Sequence, residues 1–265
     1  MTNKLYIFVV LALIVSSCKK VVDIDLNEAN PRIVVDAQMH FADTLPNGLA
    51  YLHLHMTNSF YELKPFNIID SADVKIIDKD GVGYKLTQNK NGIYINTNLP
   101  KASFGDNYKL NILVDGKTIS ANSTIARPVK IDSLNYELDD FGPHQGGGYV
   151  VTCFFMDPPN EVNYYYLKIM YQGEYQYGYF LTRDDGFDGK QIPYTFFRNK
   201  FEEPGEVQVE LYTIDEAAFE YYKVLAMMEQ GGMSTAPGNP PSNIEGDAIG
   251  LFNASFVDIE TIDIP

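Results

Sequence analysis

The 265-residue sequence contains no tryptophan, two cysteines and four histidines. Two thiols, Cys18 and Cys153, cannot build a framework of several disulfides. Cys153 lies in Tyr149-Val150-Val151-Thr152-Cys153-Phe154-Phe155, where a buried thiol packs as a small hydrophobe. The scarce histidines limit metal chemistry. His53-Leu54-His55 puts two imidazoles on one face of a strand, but a third ligand would have to come from as far away as His40 or His144. Positive charge is also thin: 20 Lys and Arg against 35 Asp and Glu leave a net charge of −15. Such a body repels phosphate backbones and anionic lipid, which argues against a nucleic-acid partner and against membrane attachment by a basic patch. The Gly-x-Ser-x-Gly elbow is missing, and the glycine-rich loop from Gly142 to Gly148 lacks the Lys-Ser/Thr ending of a phosphate loop. No catalytic residues are identified, and a non-enzyme is expected. After residue 15 no apolar run is long enough to span a bilayer.

What the sequence does carry begins with its leader. Lys4 supplies a positive start, Leu5 to Val15 is continuously apolar, and Ser16-Ser17-Cys18 follows at once. The run is too short for a stable anchor and suits the core of a secretory signal peptide. Small residues before a cysteine resemble the bacterial lipoprotein cleavage box. The resemblance implies a signal peptide over 1–17, diacylation of the Cys18 thiol and acylation of the new amino terminus. Acyl chains such as palmitate stabilise insertion by about 0.8 kcal/mol per buried methylene. Residues 18–31 then form a lipidated tether, in which alternating Val21 to Leu26 ends at Asn30-Pro31.

From Ile33 onward the periodicity is that of strands. Ile33 to Met39, Ala50 to Met56, Asp73 to Asp78, Gly83 to Leu86, Ile93 to Asn96, Asn107 to Val114 and Lys117 to Ala121 alternate or run apolar. Asn91-Gly92 and Asp115-Gly116 are strong hairpin signals between them. This pattern predicts an immunoglobulin-like β-sandwich over 32–128. After Arg127-Pro128 a second β-rich domain, 129–265, is expected, with strands at Ile131 to Tyr136, Tyr149 to Met156, Asn163 to Tyr171, Tyr175 to Leu181, Tyr194 to Asn199, Val207 to Tyr212 and Ile249 to Val257. Thr213 with Glu216 reads as a capping box, and Ala218, Tyr221, Tyr222, Leu225 and Met228 recur at helical spacing. The fold class is therefore all-β: two β-sandwich domains, the second with one capping α-helix near 214–230.

Nineteen tyrosines suit a surface that is both wet and adhesive. The Tyr164-Tyr165-Tyr166 and Tyr175-Gln176-Tyr177-Gly178-Tyr179 stretches put tyrosine on both faces, so some rings, among them Tyr164, Tyr166, Tyr175, Tyr177 and Tyr179, must meet solvent or a partner. They are the candidate ligand-binding residues. Asp184, Asp185 and Asp188, in Asp184-Asp185-Gly186-Phe187-Asp188-Gly189-Lys190, are candidate metal ligands. Gly186 at the third position and Thr195 at the twelfth exclude an EF-hand, leaving a looser structural calcium site or an acidic turn. No other cofactor is implied.

Near its end the sequence reads Pro237-Gly238-Asn239-Pro240-Pro241-Ser242-Asn243-Ile244-Glu245-Gly246, then Ala248-Ile249-Gly250-Leu251-Phe252-Asn253-Ala254. With Val22-Asp23-Ile24-Asp25, Pro31-Arg32-Ile33-Val34-Val35 and Ile131-Asp132-Ser133-Leu134, these stretches resemble a Bacteroidota outer-membrane lipoprotein family of unknown function, DUF4249. Pro240, Pro241, Ser242, Asn243, Ile244, Gly246 and Gly250 carry its most specific motif. Asp247 departs from it, standing where a second glycine is common. Asp43-Thr44-Leu45, Asp70-Ser71-Ala72 and Asp132-Ser133-Leu134 also resemble short O-glycosylation motifs of these bacteria. The family resemblance implies a protein held in the cell outer membrane through Cys18, on its periplasmic or its surface face. It further implies two β-rich domains and a gene often beside a TonB-dependent receptor. The function expected is that of a non-catalytic accessory partnering a TonB-dependent transporter in nutrient uptake. The alternatives are a stand-alone glycan- or peptide-binding lipoprotein and an envelope hydrolase.

Overall fold

The computed structural model describes residues 30–58, 65–139, 147–229 and 239–265. The leader, Cys18, most of the tether, His144 and most of the Gly142 to Gly148 loop lie outside them. Among the described residues the fold is all-β with one helix. The strands are β1 (Ile33–Phe41), β2 (Gly48–Met56), β3 (Asp73–Ile77), β4 (Gly83–Gln88), β5 (Ile93–Leu99), β6 (Asn107–Val114), β7 (Lys117–Thr124), β8 (Ile131–Asp139) and β9 (Gly148–Met156). They continue with β10 (Tyr164–Tyr171), β11 (Glu174–Tyr175), β12 (Phe180–Arg183), β13 (Gln191–Thr195), β14 (Gly205–Ile214), β15 (Ile244–Glu245) and β16 (Ala248–Ile264). The helix α1 is Glu216–Glu229, and among the described residues no helix is long and apolar enough to cross a membrane.

The large sheet has the order β11-β10-β14-β16-β1-β2-β5-β4-β3-β6-β7-β15, with β12 paired to β10. A three-stranded sheet, β13-β9-β8, faces part of it. Alternation explains the layers, because every second side chain of a strand points the same way. Val35, Ala37 and Met39 of β1, Leu52 and Leu54 of β2, and Leu110 and Ile112 of β6 meet in a first core. Val207, Val209 and Leu211 of β14, Leu167 and Ile169 of β10, and Phe155 of β9 meet in a second. Each such fully buried side chain contributes roughly 1.5–3 kcal/mol.

The two cores divide between Ile125 and Val129, but the sheet does not. Strand β16 pairs in parallel with β1 over Ala248–Phe256 and antiparallel with β14 over Phe256–Ile264. Its Phe252 and Ala254 therefore fill the first core while Ile264 fills the second. Pro31–Pro265 form one compact unit.

Local departures from the expected elements have local causes. The strand expected from Tyr175 to Leu181 is two short ones, interrupted where Gly178 takes φ +140°. The strand expected from Tyr194 lies earlier, at Gln191–Thr195. The helix is not capped by Thr213, because β14 continues to Ile214. Asp215 is the cap instead: its Oδ1 accepts the Ala218 amide at 2.9 Å, an arrangement worth about 1 kcal/mol. Met228, expected on the buried stripe, is exposed.

Candidate functional site

Strands β10, β14, β16, β1 and β2 are consecutive in the sheet. Their second face carries a different chemistry from the one that fills the cores. Tyr166 and Lys168 stand opposite Tyr212 and Glu210. Gln38 and His40 stand opposite Asn253 and Ser255, and Asp36 and Gln38 opposite His53 and Tyr51. Helix α1 caps this face. It seats Phe219 and Tyr222 against Tyr212 and Leu251, with Leu225 packed alongside. Between helix and sheet lies a cavity of about 370 Å³ with six tyrosines in its lining, within the range of small-molecule sites.

The polar groups around it are held firmly. Glu210 is buried and accepts from Tyr175 Oη and Tyr212 Oη, both at 2.6 Å, and from Gln208 Nε2 at 3.1 Å. Gln38 Nε2 donates to Tyr222 Oη at 3.0 Å and to Asp36 Oδ1 at 3.1 Å, while Asn253 Nδ2 donates to Gln38 Oε1 at 3.2 Å. Asn253 Oδ1 is buried and has no hydrogen-bond partner. His40 Nδ1 lies 2.9 Å from Ser255 Oγ. Burial, aided by the Lys168 charge, pushes the imidazole pKa down to about 3. Ser255 is completely buried, so this Ser–His contact presents no nucleophile.

Lys168 differs from its neighbours. Its ammonium lies 4.9 Å from the Tyr212 ring centre and 5.7 Å from those of Tyr166 and Tyr175. Among the described residues it makes no hydrogen bond or ion pair with an oxygen acceptor. Burial lowers its pKa, opposed by attraction to Glu210 and Asp36. The same burial pushes Tyr51 up to about 12 and raises Tyr166, Tyr175 and Tyr212, so these phenols remain hydrogen-bond donors. Tyr166 stacks on Tyr222 with ring centres 4.8 Å apart, and Tyr179 stacks on both.

Of the tyrosines singled out in the sequence, Tyr166 and Tyr179 line the cavity and Tyr175 anchors Glu210. Tyr164 packs instead on Phe219, and Tyr177 is 85% exposed beside a second, wider hollow at the helix end. Sequence reasoning missed Lys168, Glu210, Gln38, Tyr51, Tyr222 and Asn253. The available signal was the polar half of each alternation, above all Asp36, Gln38 and His40 in β1.

The acidic loop is also only partly as expected. Carboxylate oxygens of Asp157, Asp184 and Asp188 lie within 4.8 Å of one another, whereas Asp185 pairs with Arg183. Asp157, which lies outside the loop motif, is completely buried. It accepts Tyr165 Oη at 2.6 Å and the Gly189 amide at 3.2 Å, and burial raises its pKa. These bonds seat the loop on the β9–β10 connection. His53 and His55 do share a face, with ring centres 5.0 Å apart, but His55 packs at a tilt against Phe66 and no third ligand joins them among the described residues. Cys153 is buried and free, its pKa pushed up to about 12 by burial. Thr44, Ser71 and Ser133 are exposed.

The C-terminal motif has a structural job. Ser242 Oγ donates to the Gly250 carbonyl at 2.8 Å and accepts the Gly250 amide at 3.1 Å. Asn243 bridges Phe252 and the Asn122 carbonyl, and Ile244 is buried. Gly246 takes φ +102° against the Thr118 carbonyl, and Gly250 takes φ +127° where a Cβ would meet Val35 O at 2.0 Å. Asp247 pairs with Lys117 at 2.7 Å. The motif thus ties β15 to β7 and lets β16 close against β1. A family model described as a domain of unknown function, DUF4249, matches residues 19–260. No curated protein matches.

Proposed function

The chain belongs to the DUF4249 family, and from that premise we propose that it is a non-catalytic binding protein. It holds a small ligand with a ring surface, a glycan or a peptide, in the tyrosine cavity. In this reading an acylated Cys18 tethers it to the outer membrane, and the ligand passes to a neighbouring TonB-dependent transporter. The observation that carries the reading is the cavity itself, in which Tyr166, Tyr179 and Tyr222 stack beside a lysine that has no oxygen acceptor among the described residues. Aromatic faces and a few convergent polar groups are what recognition of a sugar or a peptide requires.

The test is calorimetric titration of the full chain, in mild detergent, with a panel of oligosaccharides and short peptides. Binding by at least one class, weakened at least about tenfold by Tyr166→Ala, is the expected result. A folded protein that binds none of them at millimolar concentration refutes the reading. A pull-down from native outer membranes addresses the handover separately, since recovery of the chain without a transporter removes that part alone.

A further inference from the structure

We infer that the ligand of the tyrosine cavity carries a carboxylate on a sugar ring and that Lys168 holds it. The inference rests on the cavity being a binding site, as proposed above, and goes further by naming the ligand's chemistry.

The argument is an account of which polar groups already have partners. Lys168 and Glu210 are direct cross-strand neighbours of opposite charge, the arrangement that ordinarily gives an ion pair. They do not pair. The Glu210 oxygens accept from Tyr175, Tyr212 and Gln208, and the Tyr212 ring lies beside the ammonium at 4.9 Å. Asp36, the acid of the lining, is exposed and takes Gln38 on Oδ1.

Rings attract an ammonium through their quadrupoles, but they do not replace oxygen acceptors for its three N–H donors. A half-buried ammonium that feels the charges of Glu210 and Asp36 but has no oxygen acceptor in hydrogen-bond reach among the described residues leaves its N–H donors short of partners. An arriving carboxylate supplies the missing charge-assisted hydrogen bonds. Two acceptors stand in the same lining: the buried Asn253 Oδ1, which has no partner among the described residues, and the exposed carboxylate of Asp36. Sugar hydroxyls match both. The Tyr166, Tyr179 and Tyr222 rings, inclined by 26–28° to one another, form the apolar wall that the C–H face of a sugar prefers. A peptide C-terminus shares the carboxylate but lacks the ring of hydroxyls.

Four probes separate these sources: a galacturonate disaccharide, its neutral galactose counterpart, a tripeptide with a free C-terminus and its amide. They are titrated into the full chain in detergent, into Lys168→Gln and into Lys168→Arg, with melting curves to show that each variant is folded. The expected result is acid sugar bound at least about tenfold more tightly than neutral sugar. Lys168→Gln should bring that ratio to about one, and Lys168→Arg should keep it. Equal affinity for acid and neutral sugar, or a ratio that survives Lys168→Gln, overturns the inference while leaving the cavity as a binding site. A free-acid tripeptide bound more tightly than either sugar overturns the sugar assignment. Failure of all four probes to bind folded protein overturns the inference and the cavity reading together.

Discussion

The two faces of the same five strands make the most informative comparison in this molecule. In β1, Val35, Ala37 and Met39 are sealed in a core while Asp36, Gln38 and His40 look the other way. In β14, Val207, Val209 and Leu211 do the first job, and Gln208, Glu210 and Tyr212 the second. The first face is made of interchangeable apolar volume. The second is a set of polar and aromatic groups, several joined by hydrogen bonds, in which Lys168 and Asn253 Oδ1 have no hydrogen-bond partner among the described residues. The apolar face supplies the larger share of the stability. The other is half-covered by α1 and retains groups that a folding chain would otherwise satisfy.

The comparison exists only because β16 joins the two halves into one sheet, so the strongest way to break it is at that joint. Gly250→Val puts a branched Cβ at φ +127° and 2.0 Å from Val35 O. The expected loss is on the order of 4 kcal/mol or more, read as failure to recover cooperatively folded protein. Adjacent residues on opposite faces give the next contrast. Leu211→Ala removes core volume and should cost about 2–5 kcal/mol in urea denaturation. Tyr212→Phe removes one donor to Glu210 and should cost about 1–2 kcal/mol. Equal costs would mean that the two faces are not energetically distinct.

The smallest effect is one of pH. With its pKa lowered from 6.5 to about 3, His40 stays neutral in the native state while the unfolded chain takes up a proton below pH 6.5. The unfolded state then binds more protons, so stability falls as pH falls through this window. Between pH 6.5 and 5.5 the loss should be about 1 kcal/mol, before the surface carboxylates begin to titrate. His40→Gln should flatten the slope, and an unchanged slope would show that the imidazole is not the source.

Alternation made the apolar face legible in the sequence. The hairpin at Asp115-Gly116, with φ of 49° and 74°, was equally plain, because only residues tolerant of positive φ make that turn. The candidate site was legible only in part. Tyr166 and Tyr179 stood out as an excess of rings, but nothing local brings Lys168 to Glu210 or Gln38 to Tyr222, a pair 184 positions apart. Such juxtapositions come from strand order. The parallel pairing of β1 with β16 leaves no hairpin signal. The cap of α1 was misassigned for a related reason: Thr213-x-x-Glu216 fits the local pattern, but strand pairing carries β14 one residue past it. Asp157 escaped notice because it approaches the acidic loop from another connection.

The parallel seam also orders events in time. His40 and Ser255, hydrogen-bonded neighbours across it, are 215 positions apart, and among the described residues β1 has no other partner on that side. A chain emerging from its amino terminus therefore holds β1 with one edge bare until almost the last residues have been delivered. Contacts this distant slow folding. Any truncation before Ile244 leaves that edge open to pair with another molecule, so premature termination should yield aggregates rather than a shortened, working domain.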